Sequence, residues 1–192
     1  MISGKKPIDT IIPFFHYPIK IMEFKTTAVL KYPQKIVWWA MRDHLPEIAE
    51  MQQEIQSVQE QEREHPAPGQ TRVVSIWRAA PDLPVFLMQY VKPEMLQWTD
   101  TAIWKDELWE CHWEISPHYL SEYIDCKGVT KFEPAMGGLG TRVTFHGTLA
   151  IAQNKVVTGM LLQGVENIVG KVIPNNFNKM MKTLGEHLAK GK

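Results

Sequence analysis

The chain has 192 residues, of which 21 are basic and 21 acidic. This length suits one domain with a full hydrophobic core, and the balanced charge argues against a general attraction to nucleic acid or to an anionic membrane surface. The two cysteines, Cys111 and Cys126, lie in strand-like segments without metal-ligand spacing. The sequence therefore predicts a reduced protein of the cytoplasm with neither a disulfide scaffold nor a zinc knuckle.

Residues 1–22 are predicted to form an extended arm, and residues 23–192 a single domain. Asp9, Pro13 and His16 interrupt the apolar residues of the arm, so a cleaved signal peptide is not expected. No segment approaches about 18 uninterrupted apolar residues, so no membrane-spanning helix is predicted. The arm carries apolar residues that need either the domain or a second subunit to pack against: Ile11, Ile12, Phe14, Phe15 and Tyr17.

The first part of the domain mixes strand and helix periodicities. Alternation predicts a first strand, and a spacing of three to four residues predicts two short helices after it. A polar hairpin with a PAPG turn follows, and then a short helix that begins at Asp82 and ends before Pro93. The predicted strand, helices and hairpin strands are residues 23–32, 33–43, 46–53, 54–64 and 71–79.

Residues 97–115 carry four of the seven tryptophans and are predicted to form a β-hairpin closed by residues 105–107. On the second arm the alternate positions are aromatic or apolar: Trp109, Cys111, Trp113 and Ile115. The positions between them are largely charged, which is typical of an antiparallel sheet with one wet face. The aromatic face either meets a solid core or lines a hollow that holds a ligand.

Two further strands and a long helix complete the chain. The strands are predicted at residues 119–132 and 141–151, joined by a glycine-rich turn. Residues 156–189 have helical periodicity, with a break expected near Pro174 because proline lacks an amide hydrogen. The order predicts an α+β fold in which a seven-stranded antiparallel sheet curves around the last helix, leaving a pocket between them.

This order resembles the helix-grip fold of the START-like superfamily, which includes lipid-transfer domains, plant allergen-type carriers and polyketide cyclases. Within it, the chain is most similar to an uncharacterised bacterial START-like family. The resemblance rests on the proline-containing helix at Leu83-Pro84, on Ala102-Ile103-Trp104 at a strand end, on GLGTRVTF at 138–145 and on the Val/Ile/Gly-rich start of the last helix. It covers about residues 23–188, and it implies a cavity for a lipid, sterol or polycyclic aromatic compound without supplying a catalytic motif.

The strand parity and the stripe of the last helix together select a set of candidate ligand-binding residues. They are Trp77, Trp98, Asp100, Trp109, Cys111, Trp113, Cys126, Phe145, Leu161 and Val165. Tryptophan can line a cavity while its N–H group reaches a ligand oxygen, although a filled core would use the same residues. Asp100 shares the parity of Trp98, so it either points into the cavity with a raised pKa or, if that parity is reversed, lies in solvent.

Other chemistry has little support in the sequence. Glu110, His112 and Glu114 share one strand face and His146 lies on another strand, but same-face neighbours stand about 6.6 Å apart, which is wide for one metal ion. There is no G-x-S-x-G elbow, thiols in apolar strands are usually inert, and the glycine-rich turn joins two strands instead of opening a helix. No catalytic residue, metal or cofactor is therefore assigned.

The sequence favours a non-enzymatic protein that binds or transports a hydrophobic or amphipathic small molecule. One alternative is a cyclase-, aromatase- or hydratase-like enzyme, which needs Asp100 and a second polar group inside the cavity. Another is an interaction module whose arm, residues 7–19, packs on a partner or forms a homodimer. Nucleic acid is not an expected partner, whereas transient contact with a membrane surface is compatible with the sequence.

Overall fold

The computed structural model describes residues 18–80, 92–152 and 171–190. Within these residues a seven-stranded antiparallel sheet has the order β1-β7-β6-β5-β4-β3-β2. Its strands are β1 (Ile19–Leu30), β2 (Ile55–Glu64), β3 (Gln70–Ala79), β4 (Gln97–Lys105), β5 (Glu110–Pro117), β6 (Ile124–Ala135) and β7 (Gly140–Ala152). Two short helices, α1 (Gln34–Asp43) and α2 (Leu45–Glu50), lie between β1 and β2, and α3 (Ile173–Lys190) ends the described chain. The predicted fold class is confirmed.

The first strand is longer than predicted. It begins at Ile19, and its first four residues pair with residues 149–152 of β7. The end of the predicted arm therefore belongs to the sheet, because Ile19 and Ile21 continue the alternation of β1 on its outer side. The rest of the arm, residues 1–17, lies outside the described residues, as do the predicted helix after Asp82 and the first part of the predicted terminal helix.

The turn of the Trp-rich hairpin is also longer than predicted. Residues 106–109 form it, and β5 begins only at Glu110. Trp109 has a φ of 54°, a conformation that bulky residues rarely adopt. The predicted placement of Trp109 on the alternating arm is therefore wrong, although its ring still packs against the core.

The helices lie on one side of the sheet, which is the concave side. α1 buries Val37, Trp38 and Ala40. α3 buries the residues of one stripe, Phe177, Met181 and Leu184. The apolar stripes of these helices thus meet the inward side chains of the strands and form the core.

The last helix links the two free edges of the sheet. Tyr32, just beyond β1, donates a hydrogen bond from its hydroxyl to the carbonyl oxygen of Gly185 at 3.3 Å. On the other side Lys179 forms an ion pair with Glu54, which precedes β2, and the Gln52 amide contacts the Met180 sulfur at 3.3 Å. α3 therefore bridges β1 and the start of β2, and the concave face of the sheet lies beneath it. None of the described helices is long and apolar enough to cross a membrane.

Candidate functional site: a carboxyl group on the concave face

One part of the concave face is filled by four aromatic rings. Trp113 of β5 stacks on Phe145 of β7 with ring centroids 4.6 Å apart and planes 13° apart, and it lies 6.1 Å from the ring of Phe24 of β1. Phe177 of α3 covers Phe145 from above at 5.7 Å. These four residues, here called the aromatic stack, connect the sheet to the last helix as a solid core does.

Two glycines make room for the aromatic stack. Gly128 of β6 lies directly opposite both Trp113 and Gly147 of β7, so the three positions form one row across the sheet. A Cβ at Gly128 would overlap the Trp113 ring and the carbonyl oxygen of His146, and a Cβ at Gly147 would lie 2.5 Å from Trp113. The indole of Trp113 therefore lies flat on backbone at a place where any other residue would displace it.

A second group of rings closes the end of the sheet next to α1. Trp38 meets the rings of Trp104, Trp109 and Phe132 edge to face, with centroid distances of 5.0, 5.5 and 5.1 Å. The Trp38 indole also donates a hydrogen bond to an Asp106 carboxylate oxygen at 3.1 Å. We call these four rings the Trp38 cluster. The indole N–H of Trp38 has an acceptor, and the other three rings contact Trp38.

Trp77 and Trp98 belong to a separate hydrophobic cluster near β2. They lie opposite each other on β3 and β4, and their rings stack at 5.7 Å. Ala49 of α2, Val58 of β2 and Met180 of α3 pack against them. The concave core is thus divided into two clusters.

Asp100 lies between these two clusters. It is directly opposite Ser75 of β3 and Ile115 of β5, while the next inward positions on its own strand are Trp98 and Ala102. Ser75 and Ala102 have short side chains that do not reach across a neighbouring position. We call Ser75, Asp100 and Ala102 the Asp100 gap, because here the concave face has a carboxyl group between small residues instead of an interlocked ring.

The environment of Asp100 disfavours its charged form. Desolvation by burial raises the pKa of its carboxyl group from 3.8 to about 7. The residue nevertheless keeps part of its surface accessible. Burial therefore dominates the electrostatics of the carboxyl group, although the residue as a whole is not fully covered. No described residue makes a hydrogen bond to this carboxyl group.

The thiols on the same face are also held in their neutral form. Burial raises the pKa of Cys111 well above its ordinary range and that of Cys126 to about 12, with the nearby Asp100 adding to both effects. The two cysteines form no disulfide bond, and both are buried. A protonated thiol is a poor nucleophile, so neither cysteine is suited to covalent catalysis.

Two indole N–H groups in the interior lack an acceptor. They belong to Trp77 and Trp113, which are 8% and 6% exposed. An unpaired buried donor costs free energy, so aromatic packing has been satisfied here at the expense of hydrogen bonding. Because both nitrogen atoms are enclosed, they do not line the accessible surface at Asp100.

The candidate residues therefore divide into groups. Strand register brings Trp77, Trp98, Asp100, Cys111, Trp113, Cys126 and Phe145 to the concave face, and Trp109 reaches it from the turn. Among them Trp113 and Phe145 belong to the aromatic stack and Trp109 to the Trp38 cluster, so ring packing covers these three. Leu161 and Val165 lie outside the described residues. Ser75 and Ala102 were missed, although their small size between tryptophans was the available signal.

Two grooves formed by described residues lie elsewhere. A groove of about 520 Å³ runs between the end of β1 and α3, beside Tyr32 and Gly185. Another, of about 580 Å³, lies at the β2–β3 and β4–β5 turns, beside Arg42, Arg63 and Asp106. In the second groove Arg42 contacts Asp106 at 2.9 Å, and both arginines contact Asp43. These guanidinium groups already have carboxylate partners, so the groove is a structural link and not a free anion site.

The row of acidic and histidine side chains lies on the outer face of the sheet. Glu110 contacts His112 at 3.1 Å and Lys131 at 2.7 Å, and His146 contacts Glu23 at 2.6 Å. Hydrogen bonds from Lys131 and His112 lower the pKa of Glu110. In the described ranges no group of three or more His, Cys, Asp or Glu side chains is arranged to hold a metal ion.

Comparisons with known proteins show the fold. No protein-family model and no curated protein matches the chain. TTHA0849 from Thermus thermophilus has a similar structure with a TM-score of 0.62 and 20% identity, over 89% of this chain and 99% of that one. The Zhui aromatase/cyclase from Streptomyces sp. R1128 has a similar structure with a TM-score of 0.63 and 11% identity, over 90% of this chain and 97% of that one. Norcoclaurine synthase from Thalictrum flavum, in complex with dopamine and hydroxybenzaldehyde, matches with a TM-score of 0.58 and 10% identity, over 100% of this chain and 96% of that one. The chain thus has the helix-grip fold, as predicted. Its membership of the START-like superfamily and its closer likeness to one bacterial family stay predictions.

Proposed function

We propose that this protein binds or transports a hydrophobic or amphipathic small molecule in the concave space between the sheet and the C-terminal helix. The observation that carries the proposal is the Asp100 gap. A solid protein core does not normally leave a carboxyl group without a hydrogen-bond partner between two hydrophobic clusters. The partly accessible surface of Asp100 supports an interior that holds something other than protein.

The walls of the proposed site have the composition that such a ligand needs. Trp98 and Ile115 are partly exposed on the concave face beside Asp100. An aromatic ring and a branched aliphatic chain offer apolar contact area, while the carboxyl group offers a single polar contact. Leu161 and Val165 stay proposed ligand-binding residues, because they belong to the apolar stripe of the predicted terminal helix.

The structural relatives are compatible with this proposal. One of them is an aromatase/cyclase, and another is a synthase in complex with two small aromatic molecules. A shared fold at this level of identity does not transfer either activity. It supports only the location, since the concave face under the last helix is the main enclosed surface that this fold offers.

An enzyme of the cyclase type is the second candidate, and one observation favours it. A carboxyl group with a pKa of about 7 can both accept and donate a proton near neutral pH. Acid–base catalysis on a bound substrate usually needs a second polar group at the same place. Among the described residues opposite Asp100, the only polar side-chain group is the Ser75 hydroxyl. The nearby thiols of Cys111 and Cys126 are held protonated. The described residues therefore support binding better than catalysis.

The remaining predictions concern partners and location. A homodimer held by the N-terminal arm, transient contact with a membrane surface and a cytoplasmic location are compatible with the described residues and stay proposals. Deleting residues 1–17 and measuring the molar mass by light scattering tests the first of them. An unchanged mass would count against a role of the arm in assembly.

Native mass spectrometry tests the proposed function. Protein purified without detergent should carry an additional small mass that organic solvent extracts. A Ser75→Leu variant should lose this mass, because the larger side chain extends into the gap. Thr101→Leu is the matched control, since Thr101 lies one residue from Asp100 and on the opposite face of β4. Bare protein, together with an experimental structure in which side chains fill the space at Asp100, would contradict the proposal.

A further inference from the structure

The Asp100 carboxyl group needs a hydrogen-bond partner that the described residues around it do not provide. Its in-register neighbours are Ser75 on β3 and Ile115 on β5, followed by Cys126 on β6. None of the described residues makes a hydrogen bond to it. The identity of the ligand group that meets this carboxyl rests on the proposed function, because it presupposes that a ligand is bound here.

The charged groups on the elements around Asp100 are occupied by other partners. On β2 Glu60 lies opposite Ser75, and Arg63 binds its carboxylate at 2.7 Å. Glu50 of α2 accepts a hydrogen bond from the Val58 amide at 2.9 Å, and Glu54 is paired with Lys179 of α3. On the concave side of β5 and β6 the titratable groups are the buried Cys111 and Cys126 thiols, which carry no positive charge. The described surroundings thus offer no cation to Asp100.

An apolar site of this kind favours a neutral carboxylic acid over a carboxylate. The neutral group has an O–H donor, and in the interior of a protein such a donor needs an acceptor. An ammonium group on a ligand would instead require two buried charges in a place where the described residues offer only the Ser75 hydroxyl and two thiols as further hydrogen-bonding groups. Such pairs seldom recover the free energy of desolvation. The surroundings therefore select a ligand group that accepts a hydrogen bond and carries no charge.

We propose that Asp100, as a neutral acid, donates a hydrogen bond to a carbonyl oxygen of the ligand, in a ketone, ester or quinone whose apolar body lies against Trp98 and Ile115. Asp100 then distinguishes ligands that have a hydrogen-bond acceptor from ligands of the same shape that have none. The class of ligand that follows is a neutral hydrophobic carbonyl compound.

This arrangement makes binding depend on pH in a defined direction. The O–H donor exists only while the carboxyl group is protonated, and its pKa is about 7. Affinity for a carbonyl ligand should be highest below pH 7 and fall as the pH rises through the pKa, until it equals the affinity for a ligand of the same shape without the carbonyl. A ligand bound through an ammonium group would show the opposite trend.

Three probes of nearly the same shape separate these cases by calorimetric titration at pH 6 and pH 8.5. They are 2-acetylnaphthalene, which carries the carbonyl, 2-isopropenylnaphthalene, which replaces it by an alkene, and 1-(2-naphthyl)ethylamine, which carries an ammonium group. We expect the ketone to bind about fivefold to tenfold tighter than the alkene at pH 6. This preference should disappear at pH 8.5.

Two substitutions at one position complete the test. Asp100→Asn keeps an N–H donor of similar shape, so it should retain the preference for the ketone and show it at both pH values. Asp100→Leu should bind the ketone and the alkene equally, while Thr101→Val on the outer face should behave as the wild type.

Equal binding of ketone and alkene by the wild type, a ketone affinity that does not change with pH, or tightest binding of the amine would each overturn the inference. In the first case the proposed function stands. If none of the probes binds, the inference is also overturned, and native mass spectrometry decides separately whether the protein carries a ligand.

Discussion

The aromatic stack and the Asp100 gap occupy the same concave face, and each contains residues without a large side chain. In the aromatic stack Gly128 and Gly147 leave a depression that the Trp113 ring fills completely. In the Asp100 gap the small side chains of Ser75 and Ala102 lie beside Asp100, a residue that keeps part of its surface accessible. Small residues in a sheet therefore leave space for another group only where no neighbouring ring lies across them.

The contrast also divides the tryptophans by role. Trp113 and Trp38 each contact at least two other rings and act as core residues. Trp98 stacks on Trp77 but stays partly exposed. Stability should therefore depend mainly on the first two residues, and ligand contact mainly on Trp98.

Truncating a tryptophan in each region gives the largest expected difference. Trp113→Ala removes the centre of the aromatic stack and should lower the free energy of unfolding by about 4 kcal/mol. Trp98→Ala removes a partly exposed ring and should cost about 1–2 kcal/mol. Urea unfolding followed by circular dichroism measures both. Equal losses would mean that the two regions are packed alike.

Adding one methyl group tests the floor of the aromatic stack. Gly128→Ala should lower the free energy of unfolding by about 3 kcal/mol, because the new Cβ overlaps backbone on β7 that cannot move independently. Gly185→Ala on α3 is the matched control. Its Cβ would meet only Leu30 at 3.6 Å, so helix propensity should stabilise the protein by up to about 1 kcal/mol. A tolerated Gly128→Ala would show that Trp113 does not lie on this glycine in solution.

The stability of the wild type should fall as the pH rises from 5 to 8 because of Asp100. Its folded-state pKa of about 7 lies above its ordinary value of 3.8, so the folded protein holds a proton that the unfolded chain releases. This contribution is fully present below the unfolded pKa and is lost as the pH rises through the folded pKa, by about 2 kcal/mol over this range. Asp100→Asn should remove this loss. Parallel stability curves for the two proteins would place Asp100 in solvent.

The polar link beside the Trp38 cluster should contribute least. Asp106 accepts hydrogen bonds from the Trp38 indole and from Arg42, at 3.1 and 2.9 Å. Asp106→Ala should therefore cost about 1 kcal/mol, with a smaller effect at high salt because the Arg42 contact is partly solvated. Glu107→Ala in the same turn serves as control and should be nearly neutral. A loss as large as that of Trp113→Ala would show that this turn, and not the aromatic stack, fixes the structure.

The alternation of side chains predicted the faces of the strands, and with them the location of Asp100. Trp98 and Asp100 do share the concave face, so the alternative of a reversed parity is wrong. The parity argument succeeded because β4 and β5 have no bulge between their paired residues. Where the chain left the strand, as at Trp109, the same argument failed, since a positive φ in a long turn is decided by tertiary packing and not by alternation.

The division between core and candidate site could not be read from the sequence. It depends on Gly128 and Gly147 arriving opposite each other from strands that meet only in the folded sheet. It depends equally on Phe177 of α3 covering Phe145 from another layer. Such long-range placement sets which rings interlock and which face a space, so the tryptophans of the sequence all looked alike.

Carbon-13 NMR of the Asp100 side-chain carboxyl, titrated without and with 2-acetylnaphthalene, tests whether this group lies in a desolvated space that accepts a carbonyl group. We expect a midpoint near 7 for the free protein and a higher midpoint when the ketone is bound, because binding favours the protonated form. A midpoint near the ordinary value of 3.8, unchanged by the ketone, would contradict this expectation.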